Sequence, residues 1–329
     1  MRSRTVWSIF AGFLFLLSVF PNGVFAAQKD YPNRPIELVV GMAPGGPTDV
    51  AVRVIQAPLQ AALGVPIIIS NKSGGAGAMG AEYVGNAKPD GYTLLTHPTG
   101  TMTIVPVVNP TIPYKPSDFV SVCFYANDPV LICSKPNMPW KDVYELIDYA
   151  KKNPGKLNYA SSGMGAPSFF VMESFKLSKG LDIVPVHYQG SGPAKTAILG
   201  GHVDLAALGL GPLMPLIKAG NVIPILTTGD KKELKPPFDK IPTMIDLGIP
   251  EASISIRTGI SAPAKTPKEV IEKIERALEK IVKNPAIAVQ MEKAGSSAYF
   301  KSSSEMEKVL ANERVLVEKV SKKLGIGTK

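Results

Sequence analysis

Short apolar runs rich in β-branched residues alternate with amphipathic helical patterns along most of the chain. Each run lasts four to six residues, and most are followed by turn residues and then by a helical pattern. The runs cover residues 36–40, 67–70, 92–96, 157–160, 183–187, 203–208 and 223–227. This alternation predicts an α/β fold with largely parallel sheets.

Sequence signals also predict where several helices begin. A helical period runs from residue 48 to residue 63, with Thr48 or Asp49 as its N-cap. Residues 266–269 combine a capping box with proline at the first helical position, and residues 302–305 open another helix. The apolar faces of these C-terminal helices indicate packing elements that carry no catalytic chemistry.

The N-terminal segment has the three parts of a secretory signal peptide. Arg2 and Arg4 precede an apolar run over residues 6–20, and the small residues that follow fit a cleavage site after Ala26. A membrane anchor is the alternative, but the run is shorter than the ~20 residues that a transmembrane helix needs. We therefore predict that residues 1–26 are a signal peptide and that the mature protein is exported and soluble.

The amino-acid composition excludes several classes of protein. A length of 329 residues suits one large domain or two modest ones, and 30 glycines and 30 prolines without a period exclude collagen and coiled coil. The formal net charge is +9, yet the 36 basic and 27 acidic residues are mixed along the whole length and form no basic arm. Nucleic acid is therefore not a predicted partner.

The two cysteines, Cys123 and Cys133, lie on apolar stretches at 119–125 and 130–134. A hairpin between these stretches would bring the thiols near each other, whereas two buried free thiols are the alternative that the spacing leaves open. Neither cysteine has the spacing of a metal or redox motif, and we predict no metal and no cofactor.

Three turns rich in glycine, serine and proline follow predicted strands and precede helices. They cover residues 42–49, 161–168 and 188–193. Such turns present unpaired backbone N–H groups, the helix N-terminus adds partial positive charge, and glycine lets a ligand approach closely. Two such turns facing each other would hold a carboxylate without lysine or arginine. One turn alone is more simply a tight βα connection, but three in one chain favour a binding site.

No complete catalytic motif is present in the sequence. Gly75, Gly77 and Gly80 match the dinucleotide fingerprint, but this segment does not follow its strand directly. The G-x-S-x-G, H-E-x-x-H and P-loop patterns are absent. A triad of Ser191, His187 and Asp204 can be drawn, although nothing in the spacing favours it. The sequence therefore predicts a protein that is not an enzyme.

A series of short motifs runs in order through nearly the whole mature chain. They are Tyr31-Pro32-Asn33-Arg34-Pro35-Ile36, Pro44-Gly45-Gly46 with Thr48-Asp49, Asn71 with Gly75-Ala76-Gly77 and Gly80, Pro89-Asp90-Gly91-Tyr92-Thr93-Leu94-Leu95, Leu157-Asn158-Tyr159-Ala160-Ser161, Gly200-Gly201-His202-Val203-Asp204, Ile241-Pro242-Thr243 with Gly248-Ile249-Pro250, and Ala262-Pro263 before Thr266-Pro267. Each motif alone is weak. Their number and order resemble the periplasmic solute-binding proteins of tripartite tricarboxylate transporters, also called the Bordetella uptake gene family.

The resemblance implies a two-lobed, type II periplasmic-binding fold, in which each lobe is a mostly parallel sheet flanked by helices and the ligand cleft lies between the lobes. Crossing strands near 119–125 and 253–261 would divide the chain into lobe one, 27–124 plus 255–329, and lobe two, 125–254. The resemblance also implies a periplasmic monomer that delivers its ligand to integral membrane subunits. A sensory or scavenging role without a transporter is the alternative within the family.

In such proteins the first loop of each lobe holds the ligand carboxylate, often through backbone N–H groups. Cleft-lining positions after the third strand and on further loops complete the set. Carried over to this chain, the resemblance implies these ligand-binding residues: Ala43, Pro44, Gly45, Gly46, Pro47, Thr48, Asp49, Thr99, Ser161, Ser162, Gly163, Met164, Gly165, Ala166, Ser168, Gly190, Ser191, Leu208 and Arg257.

Several of these positions depart from the family's pattern and lower the polarity of the pocket. Pro47 stands where glycine or serine is usual, Met164 replaces a polar residue, and Leu208 replaces an aspartate that would suit a ligand amine. Arg257 takes a position that is usually aromatic, and it would pair with a second carboxylate if it faces the cleft. A surface arginine near the hinge is the alternative. We therefore expect an aromatic or alkyl mono- or dicarboxylate rather than citrate or an amino acid.

Two alternatives come from other classes of protein. An exported hydrolase would use Ser161, Ser162 or Ser191 as its nucleophile. A purely structural surface protein would bind no small ligand at all.

Overall fold

Two β-sheets flanked by helices organise the part of the chain that the computed structural model describes, residues 31–188, 190–229, 231 and 238–327. The predicted signal peptide and its cleavage site lie outside the described residues. Within the described ranges, no helix combines the length and the apolar character that a membrane crossing requires.

The strands and helices follow one another along the chain in an alternating order. The strands are β1 (Ile36–Val40), β2 (Ile67–Asn71), β3 (Thr93–Pro98), β4 (Phe119–Asp128), β5 (Val130–Ser134), β6 (Leu157–Ser161), β7 (Ile183–His187), β8 (Leu205–Gly209), β9 (Ile223–Thr227), β10 (Ile256–Pro263) and β11 (Ser297–Ser302). The helices are α1 (Pro47–Leu63), α2 (Ala78–Gly85), α3 (Gly100–Thr103), α4 (Val105–Val108), α5 (Val143–Lys152), α6 (Pro167–Lys179), α7 (Ser191–Leu199), α8 (Leu210–Lys218), α9 (Lys268–Val282), α10 (Pro285–Lys293) and α11 (Ser303–Leu324).

Both sheets are mixed. The six-stranded sheet has the order β11-β4-β10-β3-β1-β2, and the five-stranded sheet has the order β7-β6-β8-β5-β9. β1 is parallel to β2 and β3, and β6 is parallel to β7 and β8, but β10 and β5 are antiparallel to both of their neighbours. The two-sheet α/β architecture is confirmed. The sheets are less parallel than expected because β4, β5, β10 and β11 enter them through antiparallel pairings.

The chain passes from one sheet to the other within a single residue. β4 of the six-stranded sheet ends at Asp128, and β5 of the five-stranded sheet begins at Val130. The strands of the six-stranded sheet come from residues 36–128 and 256–302, and those of the five-stranded sheet come from residues 130–227. The exact boundaries of the two lobes remain a prediction.

Burial explains why the central strands are continuous apolar runs in the sequence. Every residue of β5 and β8 is buried, whereas the edge strands β2 and β7 expose Ile68 and Val184. Tyr159 of β6 packs in one core cluster with Phe170, and Val39 of β1 packs in another. These buried strands fix the points at which the loops after β1 and β6 begin.

The start of α1 differs from the prediction. The helix begins at Pro47 with Gly46 as its N-cap and without a side-chain capping bond, so the predicted Thr48 or Asp49 N-cap is wrong. Proline already has the helical φ and lacks an N–H group, which favours it at the first helical position. The carboxylate of Asp49 instead accepts the N–H of Gly45, one residue before the N-cap.

Helices α9 and α11 both form as predicted, but the sequence signals for their starts have opposite outcomes. The capping box predicted at 266–269 is wrong, because α9 has Pro267 as its N-cap and the buried hydroxyl of Thr266 has no hydrogen-bond partner among the described residues. The helix predicted at 302–305 is confirmed. Ser302 caps α11 and accepts from the N–H of Glu305, whose carboxylate accepts from the N–H of Ser302.

The two cysteines lie in different sheets. Cys123 on β4 pairs with β10 and β11, and Cys133 on β5 pairs with β8 and β9. The hairpin that would have brought the thiols together is therefore not formed, and both thiols are free and buried. Burial raises the pKa of each thiol above its ordinary value, so both behave as small apolar side chains.

A buried carboxylate marks the crossing from β4 to β5. Asp128 Oδ1 accepts the N–H of Gly211 at 3.1 Å, at the start of α8, while Oδ2 is buried without a hydrogen-bond partner among the described residues. Burial raises the pKa of Asp128 from 3.8 to about 7, although the N–H of Gly211 favours the ionised form. The folded protein therefore keeps this proton at pH values where the unfolded chain has released it.

This buried acid predicts a specific pH dependence of stability. As the pH rises from about 4 to about 7, the contribution of Asp128 to the free energy of unfolding falls, because only the unfolded chain releases the proton. We expect Asp128→Asn to gain about 1–3 kcal/mol relative to the wild type between pH 5 and pH 8. Urea unfolding at the two pH values measures this gain. Parallel pH profiles for the two proteins would contradict a protonated Asp128.

Candidate functional site

The loop between β1 and α1 forms a tight turn just before a proline. Gly45 adopts a φ of 75°, and the N–H of Gly46 donates to the carbonyl of Ala43 at 3.2 Å. Pro47 then opens α1, so the next free backbone donors belong to Thr48 and Asp49. The turn therefore presents the positive end of a 17-residue helix at the carboxyl end of β1.

Asp49 holds this loop in place through a buried hydrogen-bond network. Its Oδ2 accepts from Gly45 N–H and Arg53 Nε, each at 2.9 Å, and its Oδ1 accepts from Arg53 Nη2 at 2.9 Å and Asn71 Nδ2 at 2.8 Å. Asn71 also donates to the carbonyl of Met42 at 3.1 Å. Burial alone would raise the pKa of Asp49, but the hydrogen bonds from Arg53, Gly45 and Asn71 outweigh it and lower the pKa. Asp49 is thus a positioning residue, since its oxygens are already engaged.

The loop between β6 and α6 repeats the construction of the first loop. Gly163 adopts a φ of 123°, the N–H of Ala166 donates to the carbonyl of Gly163 at 3.1 Å, and Pro167 opens α6. The hydroxyls of Ser162 and Ser168 lie 3.0 Å apart. Both loops therefore place a closed turn, a helix-opening proline and then a hydroxyl residue in the same order, and no lysine or arginine belongs to either loop.

The second loop lies against segments that follow β2 and β3 of the six-stranded sheet. A methyl group placed on Gly165 would lie 3.6 Å from the Cβ of Ala76, and one on Gly100 would lie 3.4 Å from the carbonyl oxygen of Gly165. Ala76 has a φ of 55°, and its carbonyl accepts the hydroxyl of Thr101 at 3.1 Å. The loop after β6 and the start of α3 are therefore neighbours, as a site between the two sheets requires.

Ser161, Ser191 and Leu208 occupy three different places in the five-stranded sheet and its helices. Ser161 ends β6 and its hydroxyl lies 3.0 Å from Nδ1 of His187, which ends the neighbouring strand β7. Ser191 opens α7 directly after Gly190, whose φ is 104°. Leu208 is fully buried in a core cluster of β5, β8 and the helices α7 and α8, so its side chain packs in the core.

The triad of Ser191, His187 and Asp204 is not assembled. Asp204 precedes β8, where it accepts the N–H of Asn158 at 3.1 Å and pairs with Lys135 at 3.0 Å. Asn158 is near the start of β6, whereas His187 is at the end of β7, and these two strands are parallel. Asp204 and His187 therefore lie at opposite ends of the sheet.

Thr99 and Arg257 meet at the start of α3. The N–H of Thr99 donates to the carbonyl of Arg257 at 2.9 Å, and the guanidinium Nη1 of Arg257 lies 3.5 Å from Oε2 of Glu313. Oε1 of Glu313 accepts the hydroxyl of Thr103 at 2.7 Å. Sequence reasoning missed Glu313, although it lies on the apolar face of α11, three residues after Leu310 and four before Val317.

A separate cavity of about 450 Å³ lies away from these loops. Its lining includes Glu82, Tyr114, Asp118 and Lys265, and none of the predicted ligand-binding residues belongs to it. The predicted ligand-binding residues therefore lie outside this cavity.

A family comparison decides the class of this protein. The model of the tripartite tricarboxylate transporter family receptor, TctC, matches residues 51–326. This chain belongs to that family. Membership makes the chain a transport-associated receptor, which confirms the predicted binding protein over the hydrolase alternative.

Solved structures of similar proteins support the same fold for this receptor. R. palustris Rpa4515 with adipate is 30% identical with a TM-score of 0.79, and the match covers 90% of this chain and 99% of that one. MatC (Rpa3494) from Rhodopseudomonas palustris with bound malate is 28% identical with a TM-score of 0.75, over 88% of this chain and 99% of that one. The periplasmic binding protein BugD is 28% identical with a TM-score of 0.76, over 90% and 99%. The receptor therefore has the fold of periplasmic binding proteins.

Proposed function

We propose that this receptor captures a small aromatic or alkyl acid, with one or two carboxylates, between the loops after β1 and β6. The observation that carries the proposal is the repeated construction of the two loops. Each loop places the N-terminus of a helix next to the carboxyl end of the preceding strand. Two structural relatives hold carboxylates, adipate in one and malate in the other. Helix N-termini suit such anions because their N–H groups are unpaired and the helix dipole is positive there.

The proposed ligand set consists of the two loops and their neighbours. Thr48 and Ser168 would contribute backbone N–H groups, and Thr99, Gly190 and Ser191 would line the cleft. Met164 is the exposed apolar residue of the second loop, with 46% of its surface accessible. An apolar residue at this place favours a ligand with an aromatic or alkyl body over citrate or an amino acid.

In this proposal the protein acts in the periplasm after removal of residues 1–26. The lobes, 27–124 plus 255–329 and 125–254, would close on the ligand and present a new surface to the membrane subunits of a tripartite tricarboxylate-type transporter. The binding is noncovalent and the receptor acts as a monomer. A sensory role without a transporter would use the same site.

A thermal-shift screen tests this function. The panel runs from citrate, malate and amino acids to adipate, benzoate, nicotinate and phthalates. A ligand at 100 times its Kd stabilises the folded protein by ~2.7 kcal/mol, which raises the Tm by several degrees. We expect one or two related aromatic or alkyl acids to raise the Tm. A shift with citrate or an amino acid alone would contradict the apolar pocket, and no shift with any acid would contradict carboxylate capture.

A further inference from the structure

The charge of Arg257 is balanced inside the protein, next to the proposed site. Its carbonyl accepts the N–H of Thr99, which caps α3, and a methyl on the first α3 residue, Gly100, would touch the second ligand loop. Its guanidinium lies 3.5 Å from Glu313, and the side chains are 19% and 4% exposed. The pair is therefore a buried glutamate beside a partly accessible arginine at the edge of the ligand loops.

Glu313 is held from its other side as well. Its Oε1 accepts the hydroxyl of Thr103 at 2.7 Å, and the same hydroxyl oxygen lies 3.1 Å from the carbonyl oxygen of Thr99. Burial raises the pKa of Glu313, while Arg257 and the hydroxyls of Thr103 and Thr99 favour its ionised form. The carboxylate thus has one cation in contact among the described residues, Arg257.

The guanidinium of Arg257 has unused donor capacity. Its contact with Glu313 is a single long one and not the forked pair of short hydrogen bonds that arginine forms with a well-placed carboxylate. Its Nε is buried and has no hydrogen-bond partner among the described residues. Arg257 therefore retains the donors that a second ligand carboxylate would need, but such a carboxylate would lie beside the like charge of Glu313.

We propose that Glu313 determines specificity by balancing Arg257, so that the site prefers an acid with one carboxylate over the dicarboxylate of the same length. The inference rests on the proposed function and narrows its ligand class. Neutralising Glu313 leaves Arg257 without a counter-charge and opens a place for a second carboxylate. Glu313 acts through Arg257 and is a positioning residue.

Titration calorimetry of the mature protein with hexanoate and adipate tests this inference. The wild type should bind hexanoate more tightly than adipate. Glu313→Gln keeps the shape of the side chain and should raise the affinity for adipate by about tenfold or more, with the affinity for hexanoate changed by less than about threefold. The double variant Glu313→Gln with Arg257→Gln should lose this gain, because the guanidinium supplies it.

The outcomes separate this inference from the proposed function. An unchanged ratio of adipate to hexanoate affinity in Glu313→Gln would overturn the role of Glu313 while leaving carboxylate binding intact. A single Arg257→Gln variant that loses adipate and keeps hexanoate would also overturn it, since Arg257 would then already bind a second carboxylate. If Glu313→Gln does not fold, this Arg257→Gln result decides the question. Binding of neither acid, and of no other carboxylate, would overturn the proposed function and the inference together.

Discussion

Replacing Asp49 with alanine is expected to abolish carboxylate binding and to lower the free energy of unfolding by about 2–3 kcal/mol. The substitution removes the acceptor of the Gly45 N–H and of one of the two side-chain N–H groups of Asn71, whose amide keeps its bond to the carbonyl of Met42. Arg53 loses its partner too, but its side chain is 49% exposed and can return to water, which limits the cost. The binding loss follows because the loop after β1 no longer has the network that fixes it.

A matched variant distinguishes this effect from the effect of removing any aspartate at the start of a helix. Asp142 caps α5 and accepts the N–H groups of Tyr144 and Glu145, and α5 contains none of the predicted ligand-binding residues. We expect Asp142→Ala to cost about 1 kcal/mol and to leave ligand affinity unchanged. Urea unfolding and ligand titration of both variants provide the comparison. Full carboxylate affinity in Asp49→Ala would show that the loop does not depend on this network.

Replacing Gly211 with alanine is expected to cost about 1–3 kcal/mol of unfolding free energy. Gly211 is the second residue of α8, and a methyl there would overlap the backbone carbonyl of Gly295, the middle of the three residues between α10 and β11. In the reverse direction, a methyl on Gly295 would lie 2.9 Å from the Cα of Gly211. Two backbones meet without any side chain that could rotate away, so the chain itself must shift.

Gly192 provides the control, because it is the second residue of α7 and a methyl there has no neighbour within 4 Å. We expect Gly192→Ala to be neutral or to stabilise the protein by up to about 1 kcal/mol, since alanine restricts the unfolded chain. Denaturant unfolding of the two variants measures the difference. Equal stabilities would mean that the contact between Gly211 and Gly295 does not persist in solution.

The sequence predicted the parts of the fold that depend on local patterns. β1, β7 and β9 have the predicted bounds, because a short apolar run between turn residues is sufficient to define a strand. The turns after β1 and β6 were also predicted, since glycine, proline and hydroxyl residues between a strand and a helix are a local signal. Contacts between distant segments were not predictable in this way.

Three features of the structure depend on contacts between residues far apart in the sequence. The hairpin of Cys123 and Cys133 was plausible from spacing, but the chain changes sheets at Pro129, and this change depends on pairing with strands far along the chain. Asp49 resembled an N-cap, but its Oδ1 accepts a hydrogen bond from Asn71, 22 residues away. Glu313 pairs with Arg257 across the fold, and only its position on the apolar face of α11 hinted at a buried partner.

The most direct test of the two-loop site is an amide-detected NMR titration of the mature protein with the acid that gives the largest thermal shift. Its uncharged primary amide serves as the control ligand. We expect the largest shifts at the N–H groups of Thr48, Asp49, residues 163–166 and Ser168 with the acid and no comparable shifts with the amide. Shifts centred instead on the cavity lined by Glu82 and Asp118, or equal shifts with the amide, would contradict carboxylate capture by the two helix N-termini.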